Sequence, residues 1–284
     1  MRKLGLMVAV VFFGVGMGVS ALAGSNKHQL HGSVPVTASS EVTIAKGLVM
    51  AKDGKPFTGR VKYVSDSGYS IQTYKDGIAD GLFEAWTNKG KLKEQVMFKK
   101  GQRNGEALEY WLDTGKLKIK AHYRANKLNG VVEKYYPSGT LQMKRIFVDD
   151  LLHGEALHYS ESGKLQGSIH FEHGQETGPY KIFSEKGTIV EEGGVKNGVP
   201  HGPFTVYSSQ TGKPTLQGTY KMNKYDGELT MWGPNGEKVI QTYENGVANG
   251  CERTYNSQGV LEAERMIKNG QPTGECCSDQ SSGK

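Results

Sequence analysis

The amino-acid sequence predicts an all-β protein, an elongated antiparallel meander of about nine to ten β-hairpin repeats, each of roughly 24 residues. Three observations predict it. Glycine recurs at a fixed interval, the runs between glycines are short with a period of two, and aromatic residues hold a constant register to the glycines.

The glycine period comes first. The phrase "YKDGIADG" (Tyr74 to Gly81) returns as "FKKGQRNG", "YRANKLNG", "FVDDLLHG", "FEHGQETG", "VKNGVPHG", "YKMNKYDG", "YENGVANG" and "IKNGQPTG". Its last residue gives the series Gly59, Gly81, Gly105, Gly130, Gly154, Gly178, Gly202, Gly227, Gly250 and Gly274, spaced by 22, 24, 25, 24, 24, 24, 25, 23 and 24. Its fourth residue is Gly, Asn (Asn126, Asn223) or Asp (Asp150), the set that tolerates a left-handed backbone. The unit glycines admit no substitute. They need either a Gly-only backbone region or the absence of a Cβ beside the aromatic row. A second series (Gly68, Gly90, Gly115, Gly139, Gly163, Gly187, Gly212, Gly236, Gly259) sits in turn phrases such as "NKGK" and "PNGE".

Between the glycines the chain reads as strands. "LKIKAHY" (Leu117 to Tyr123) puts Leu, Ile, Ala and Tyr on one parity and Lys, Lys and His on the other, the pattern of a half-buried strand. Connections this short make neighbours antiparallel. Five residues after each unit glycine come Trp86, Tyr110, Tyr135, Tyr159, Phe183, Tyr207, Trp232 and Tyr255, an aromatic spine or a possible binding face. Three residues before the fourth position of the connection a second row runs through Tyr74, Phe98, Tyr123, Phe147, Phe171, Tyr220 and Tyr243, with Val195 and Ile267 as substitutes. A further apolar slot two residues after the unit glycine has the opposite parity to the spine. Either a bulge intervenes or both faces of the sheet are partly covered.

The ends break the pattern. Residues 1–23 read as a signal peptide: Arg2 and Lys3, an apolar run, then Ala21 and Ala23 before Gly24. A membrane helix over Leu4 to Ala23 competes, and the small residues favour cleavage. An exported chain in the periplasm, cell envelope or outside is the expectation. Residues 24–46 read as a loose polar leader, residues 47–274 as the repeat domain, and 275–284 as a fraying tail.

Composition excludes more than it names. Removing Arg2 and Lys3 takes the formal charge from +6 to +4, with acids and bases alternating, so the basic stripe of a nucleic-acid binder is missing. No cofactor loop precedes a helix. Among eight His residues, His153, His158, His170 and His173 are densest, without zinc spacing, and no metal site is assigned. His153 and His170 are expected roughly opposite each other on one hairpin. Three cysteines, Cys251, Cys276 and Cys277, leave an odd thiol. If the repeat continues, Cys251 and Cys277 share a face one unit apart, beyond disulfide reach unless the tail detaches. No catalytic constellation emerges, because the Glu residues after unit glycines recur with the repeat.

Phrases such as "KNGVPHGPF", "VDDLLHGEA" and "KDGIADGLF", each followed by an aromatic, resemble the MORN-repeat family, most closely its bacterial variant form. The resemblance covers about Gly47 to Gly274. It implies an elongated sheet of hairpins, and it brings an antitoxin or immunity role as one alternative. The residues themselves favour a non-enzymatic scaffold presenting a sheet surface to a protein, glycan or membrane partner. An envelope polysaccharide enzyme is the second alternative.

One consequence concerns the unit glycines. Gly130→Val is expected to lower the melting temperature well below that of Lys127→Ala, since only the first disturbs a special backbone position. Equal melting temperatures in thermal denaturation overturn the turn assignment.

Overall fold

The computed structural model describes residues 35–273. The signal segment, the start of the leader, Gly274 and the tail lie outside these residues. Almost every described segment is a strand, and neighbours in the sheet follow chain order. β4 (Gly59–Ser65) pairs antiparallel with β5 (Gly68–Lys75), β5 with β6 (Ile78–Thr87), and the alternation continues to Leu261–Lys268 and the short Gln271–Pro272. The expected meander is present.

The start of the chain departs from the sequence reading. Within the segment read as a loose leader, β1 (Val36–Ala38) adds to the sheet parallel to β4, with Val36 opposite Arg60. β2 (Val42–Ala45) and β3 (Leu48–Ala51) then form a separate hairpin. The half-unit docks by backbone bonds: Val49 N–H donates to Gly77 O, Phe57 N–H to Val49 O, and Gly77 N–H to Phe57 O. β-branched Val36, Thr37, Val42, Thr43 and Ile44 favour extended backbone. Without the repeat period they gave no register to read, and the pairing is supplied by the open edge of β4.

Two kinds of turn build every unit. At the connection the two loop residues both have positive φ: Asp76 (52°) and Gly77 (79°), Lys100 (50°) and Gly101 (80°), Ala125 (49°) and Asn126 (69°). With Lys75 and Ile78 paired around them, these are two-residue type I′ hairpins, the type whose twist matches the strands. The fourth position of the repeated phrase is thus left-handed, as its residue set predicts. The third position is left-handed too, and Ala125 and Met222 (50°) show that the sequence marks it poorly. At the other end a three-residue turn closes with Thr87 N–H donating to Lys91 O and Gly90 N–H to Thr87 O.

Backbone geometry accounts for the uneven spacing. In the two 25-residue intervals the far turn gains one residue, closing through Gly115 N–H to Trp111 O and Gly212 N–H to Ser208 O. In the 24-residue pattern a bulge follows that turn: Ala85 faces Glu94 but Trp86 faces Leu92, which leaves Lys93 extra. The 23-residue interval lacks this bulge, since Met231 faces Val239 and Trp232 faces Lys238.

The unit glycine occupies a second bulge. Gln72 faces Phe83 and Tyr74 faces Ala79, so the strand around Gly81 carries surplus residues. Gly81, Gly105, Gly130 and Gly250 have φ of 115°, 113°, 111° and 120°, outside what L side chains adopt. A Cβ would meet Thr73 at 3.0 Å from Gly81 and Thr242 at 2.9 Å from Gly250, but nothing within 4 Å at Gly202 or Gly227. Of the two explanations open in the sequence, backbone conformation is the one common to all the described unit glycines.

One face of the sheet is the core. The slot two residues after each unit glycine and its cross-strand partner make a continuous ladder in which Val61, Val96, Ala121, Val132, Ala156, Ile169, Phe204 and Leu229 are buried. The second aromatic row lies beside it, with Tyr123 and Phe171 buried. The clusters are local: Ala121, Tyr123 and Val132 with Phe147, then Ala156, Ile169, Phe171 and Tyr180 with Val195. Each spans only adjacent hairpins, as expected of a repeat array.

The left-handed third position carries a test. Ala125→Asn is expected to stabilise the protein by up to about 1 kcal/mol, because Asn tolerates the φ of 49° better than Ala. Denaturant unfolding measures it, and a destabilised variant contradicts the turn assignment.

Candidate functional surface

The eight aromatics five residues past the unit glycines project from the face opposite the core. Tyr69 on β5 faces Trp86, and Lys62 and Ile71 share that face. The parity conflict in the sequence therefore has both of its answers: a bulge intervenes, and each face is partly covered. At seven of the eight the bulge sets an aliphatic residue or proline opposite the aromatic: Leu92, Leu117, Leu141, Leu165, Ile189, Pro214 and Leu261. The row therefore alternates ring and aliphatic.

Hydroxyls and cations fix these half-buried rings. Tyr110 donates to Gln95 Oε1 at 2.9 Å, Tyr135 to Glu133 at 2.8 Å and Tyr207 to Glu192 at 2.6 Å. Burial and the Glu133 bond push the Tyr135 hydroxyl up to about 12. Lys238 Nζ stands 4.6 Å from the Tyr255 ring centre. Trp86 stacks on Tyr69 at 6.1 Å between centroids, with its Nε1 buried and without an acceptor, beside a hollow of about 160 Å³.

The core face carries a second aromatic group. Phe204, Tyr220, Tyr225 and Tyr243 are in ring contact, at 4.3 Å for Phe204–Tyr220, 5.0 Å for Tyr220–Tyr225 and 5.5 Å for Tyr225–Tyr243. Tyr225 lies outside both sequence rows and was not signalled. Two glycines make room for large neighbours here. A Cβ on Gly193 would come within 2.9 Å of the Tyr180 ring, and one on Gly218 within 2.6 Å of Leu229. Tyr180 donates to the buried Glu191 at 2.7 Å, and burial raises its hydroxyl pKa. On the opposite face, which carries Tyr207, Gly194 leaves an open groove of about 380 Å³, walled by Pro179 and Pro203 and rimmed by Lys181, Glu192 and Thr205.

Titratable groups on the core face do not converge on one site. Burial raises Glu94, with Glu109 directly opposite adding to it. Burial lowers Arg145 and His158, and raises Glu176. None of these lines either hollow. His170 faces Glu155 across the hairpin and not His153, whose ring packs edge-on against His173 at 5.8 Å. The extra residues at the unit-glycine bulge shift that register. Among the described residues no three His, Cys, Asp or Glu side chains gather as a metal would require. Cys251 is disulfide-bonded.

Such an array, with a local core and repeated open faces, is a linear β-repeat scaffold. Residues 128–149 and 152–173 match the family described as MORN repeat variant; the chain carries that family's repeat. No curated protein matches the chain. A MORN repeat is a binding and scaffolding module, generally without enzyme activity, and commonly mediates protein or membrane interactions.

The tight fit at Gly193 yields an expectation. Gly193→Ala should destabilise by about 1–3 kcal/mol by forcing Tyr180 off its place, although no unusual φ is involved. Urea titration with Tyr fluorescence checks it, and an unchanged midpoint contradicts the packing.

Proposed function

We propose that the chain is an exported, non-enzymatic scaffold that holds a protein partner along its row of type I′ hairpin tips. The observation behind this is the exposure of large apolar side chains at those tips. Ile78, Val148, Leu151, Met222 and Val247 flank or occupy the turns and are 40%, 46%, 48%, 53% and 47% exposed. They recur on one long side of the sheet, and none is needed for the core. Exposed apolar side chains at four tips along one side suit an extended partner with pockets for several of them.

The charges beside them favour protein over an anionic membrane. Lys75, Lys99, Lys100, Arg124, Lys127, Lys196, Lys221, Lys224 and Lys268 lie at the tips, with Asp76, Asp149, Asp150, Glu172 and Glu244 set among them. Acids at fixed places among the bases give directional pairing with a partner of matching charge pattern, which a uniform anionic surface does not offer. The apolar segment at the N-terminus and its small residues at 21 and 23 support export.

The test uses the chain lacking residues 1–23 as bait against envelope fractions. The double variant Val148→Glu/Leu151→Glu should keep the wild-type melting temperature, as exposed substitutions do, and lose the captured protein. Capture that survives the double variant moves the site elsewhere. Retention of lipid vesicles or glycans without any protein rejects the reading.

A further inference from the structure

We propose that the groove over Gly194 is a socket for one tyrosine or tryptophan side chain of the protein partner. The inference rests on the reading of that partner as a protein lying along the tips. Three neighbouring strands build the groove: Gln175–Phe183, Ile189–Lys196 and Gly202–Tyr207. Pro179 faces Gly194 across the first pair, and Pro203, on the third strand, forms the other wall.

The repeat is interrupted here. In the same register Glu155 faces His170 and Glu228 faces Thr242, so other units carry a side chain where this one has Gly194. The shared turn geometry does not ask for glycine. His201 N–H donates to Gly194 O at 2.9 Å, just as His153 N–H donates to Ile146 O, and Ile146 has a full side chain. Nor does Gly194 have a positive φ. In this unit the His201 carbonyl oxygen stands 2.4 Å from where a Cβ would be. The strands do not ask for proline either, which gives up a backbone donor. Each proline directly follows a unit glycine, at the bulge, where that loss is tolerated.

Size and chemistry select the occupant. At about 380 Å³ the groove is at the small end of ligand sites, roughly 300–1,000 Å³, and suits a single ring. Its walls are two pyrrolidine rings, whose polarised C–H groups match the negative face of an aromatic ring. Proline-rich segments in aromatic-lined grooves use the same pairing with the roles exchanged. The rim is electrically balanced: Lys181 Nζ lies 3.7 Å from Glu192 Oε2, and Tyr207 donates to Glu192 Oε1 at 2.6 Å. A neutral group with a polar edge fits such a rim better than a carboxylate or an ammonium, and Thr205 adds a hydroxyl to meet it. Tyrosine and tryptophan have that form and are frequent anchors of protein interfaces.

The ring comes from another protein. Among the described residues every aromatic side chain is buried or half-buried, so a second copy of this chain has none to offer from them. The groove is also continuous with the tips. Met222, 53% exposed at one tip, donates its N–H to His201 Nδ1 at 3.4 Å, and the carbonyl of the same His201 approaches Gly194. A partner seated on Met222 therefore passes the mouth of the groove.

The test titrates the chain lacking residues 1–23 with N-acetyl-tyrosinamide, N-acetyl-leucinamide and N-acetylglucosamine, reading backbone amide shifts by NMR. Saturable shifts at Lys181, Gly194 and Thr205 are expected with the tyrosine probe, at several-fold lower concentration than with the leucine probe. The double variant Pro179→Glu/Pro203→Glu copies what the repeat carries at Glu155 and Glu228; it should keep the wild-type melting temperature and lose the shifts. Absence of saturable shifts in the wild type overturns the socket even if that variant fails to fold. So do equal responses to the tyrosine and leucine probes, or a stronger response to N-acetylglucosamine, which makes the groove a saccharide site. Val148→Glu/Leu151→Glu, at a separate tip, should leave the titration unchanged. Failure of the tip reading therefore shows in protein capture alone, and failure of the socket in the titration alone.

Discussion

The structure depends on one backbone hydrogen bond that repeats with the unit. At each connection the second residue of the type I′ turn donates its N–H to a carbonyl near the tip of the preceding hairpin: Gly77 to Phe57, Gly101 to Ala79, Asn126 to Arg103, Asp150 to Leu128, and so on to Gly270 and Ala248, at 2.7–3.0 Å. The left-handed φ turns that amide outward, away from its own hairpin. The tips are therefore joined to each other as well as through the strands, which a plain meander of hairpins is not. Side chains reinforce the same row, as where Asp150 accepts from Leu128 N–H and Asn126 from Arg103 N–H. That explains why Asn and Asp, and not only Gly, serve at this position: they tolerate the conformation and their oxygens satisfy a second amide.

A sheet one layer thick has no opposing layer to bury its side chains. This chain solves the problem within its face. Small residues alternate with large ones along the ladder, so that Tyr180 lies over Gly193 and Phe204 beside Gly218. The bulge at the unit glycine and the one before the spine aromatic keep the two faces distinct by resetting which parity points where. On the opposite side the far turns are also joined between units: Trp111 Nε1 donates to Tyr135 O and Tyr136 to Tyr159 O, both at 2.9 Å. Both long sides of the ribbon are thus held by bonds between units.

The candidate surfaces were only partly legible in the sequence. The spine aromatics could be found because they repeat, and their pairing with Leu92, Leu117 or Leu141 could not, because it depends on one bulged residue per unit. The same displacement separates His153 from His170. The Tyr225 contacts and the groove at Gly193–Gly194 belong to single units, so periodicity gave no warning of them. The exposed apolar tips are visible only once the turn is known to be two residues long. Val148 and Leu151 otherwise read as ordinary strand residues.

What the sequence by itself determined is the part governed by local backbone chemistry: the period, the places of the two turns in each unit, the strand alternation and the identity of the unit glycines. These follow from which residues tolerate positive φ and from a side-chain period of two, and both are properties of a few adjacent residues. Tertiary structure decided the rest. The parallel addition of β1 to β4 and the choice of a Gly-only backbone over close packing at the unit glycine both depend on which strand lies alongside, and a sheet edge accepts a neighbour through backbone groups that every residue shares.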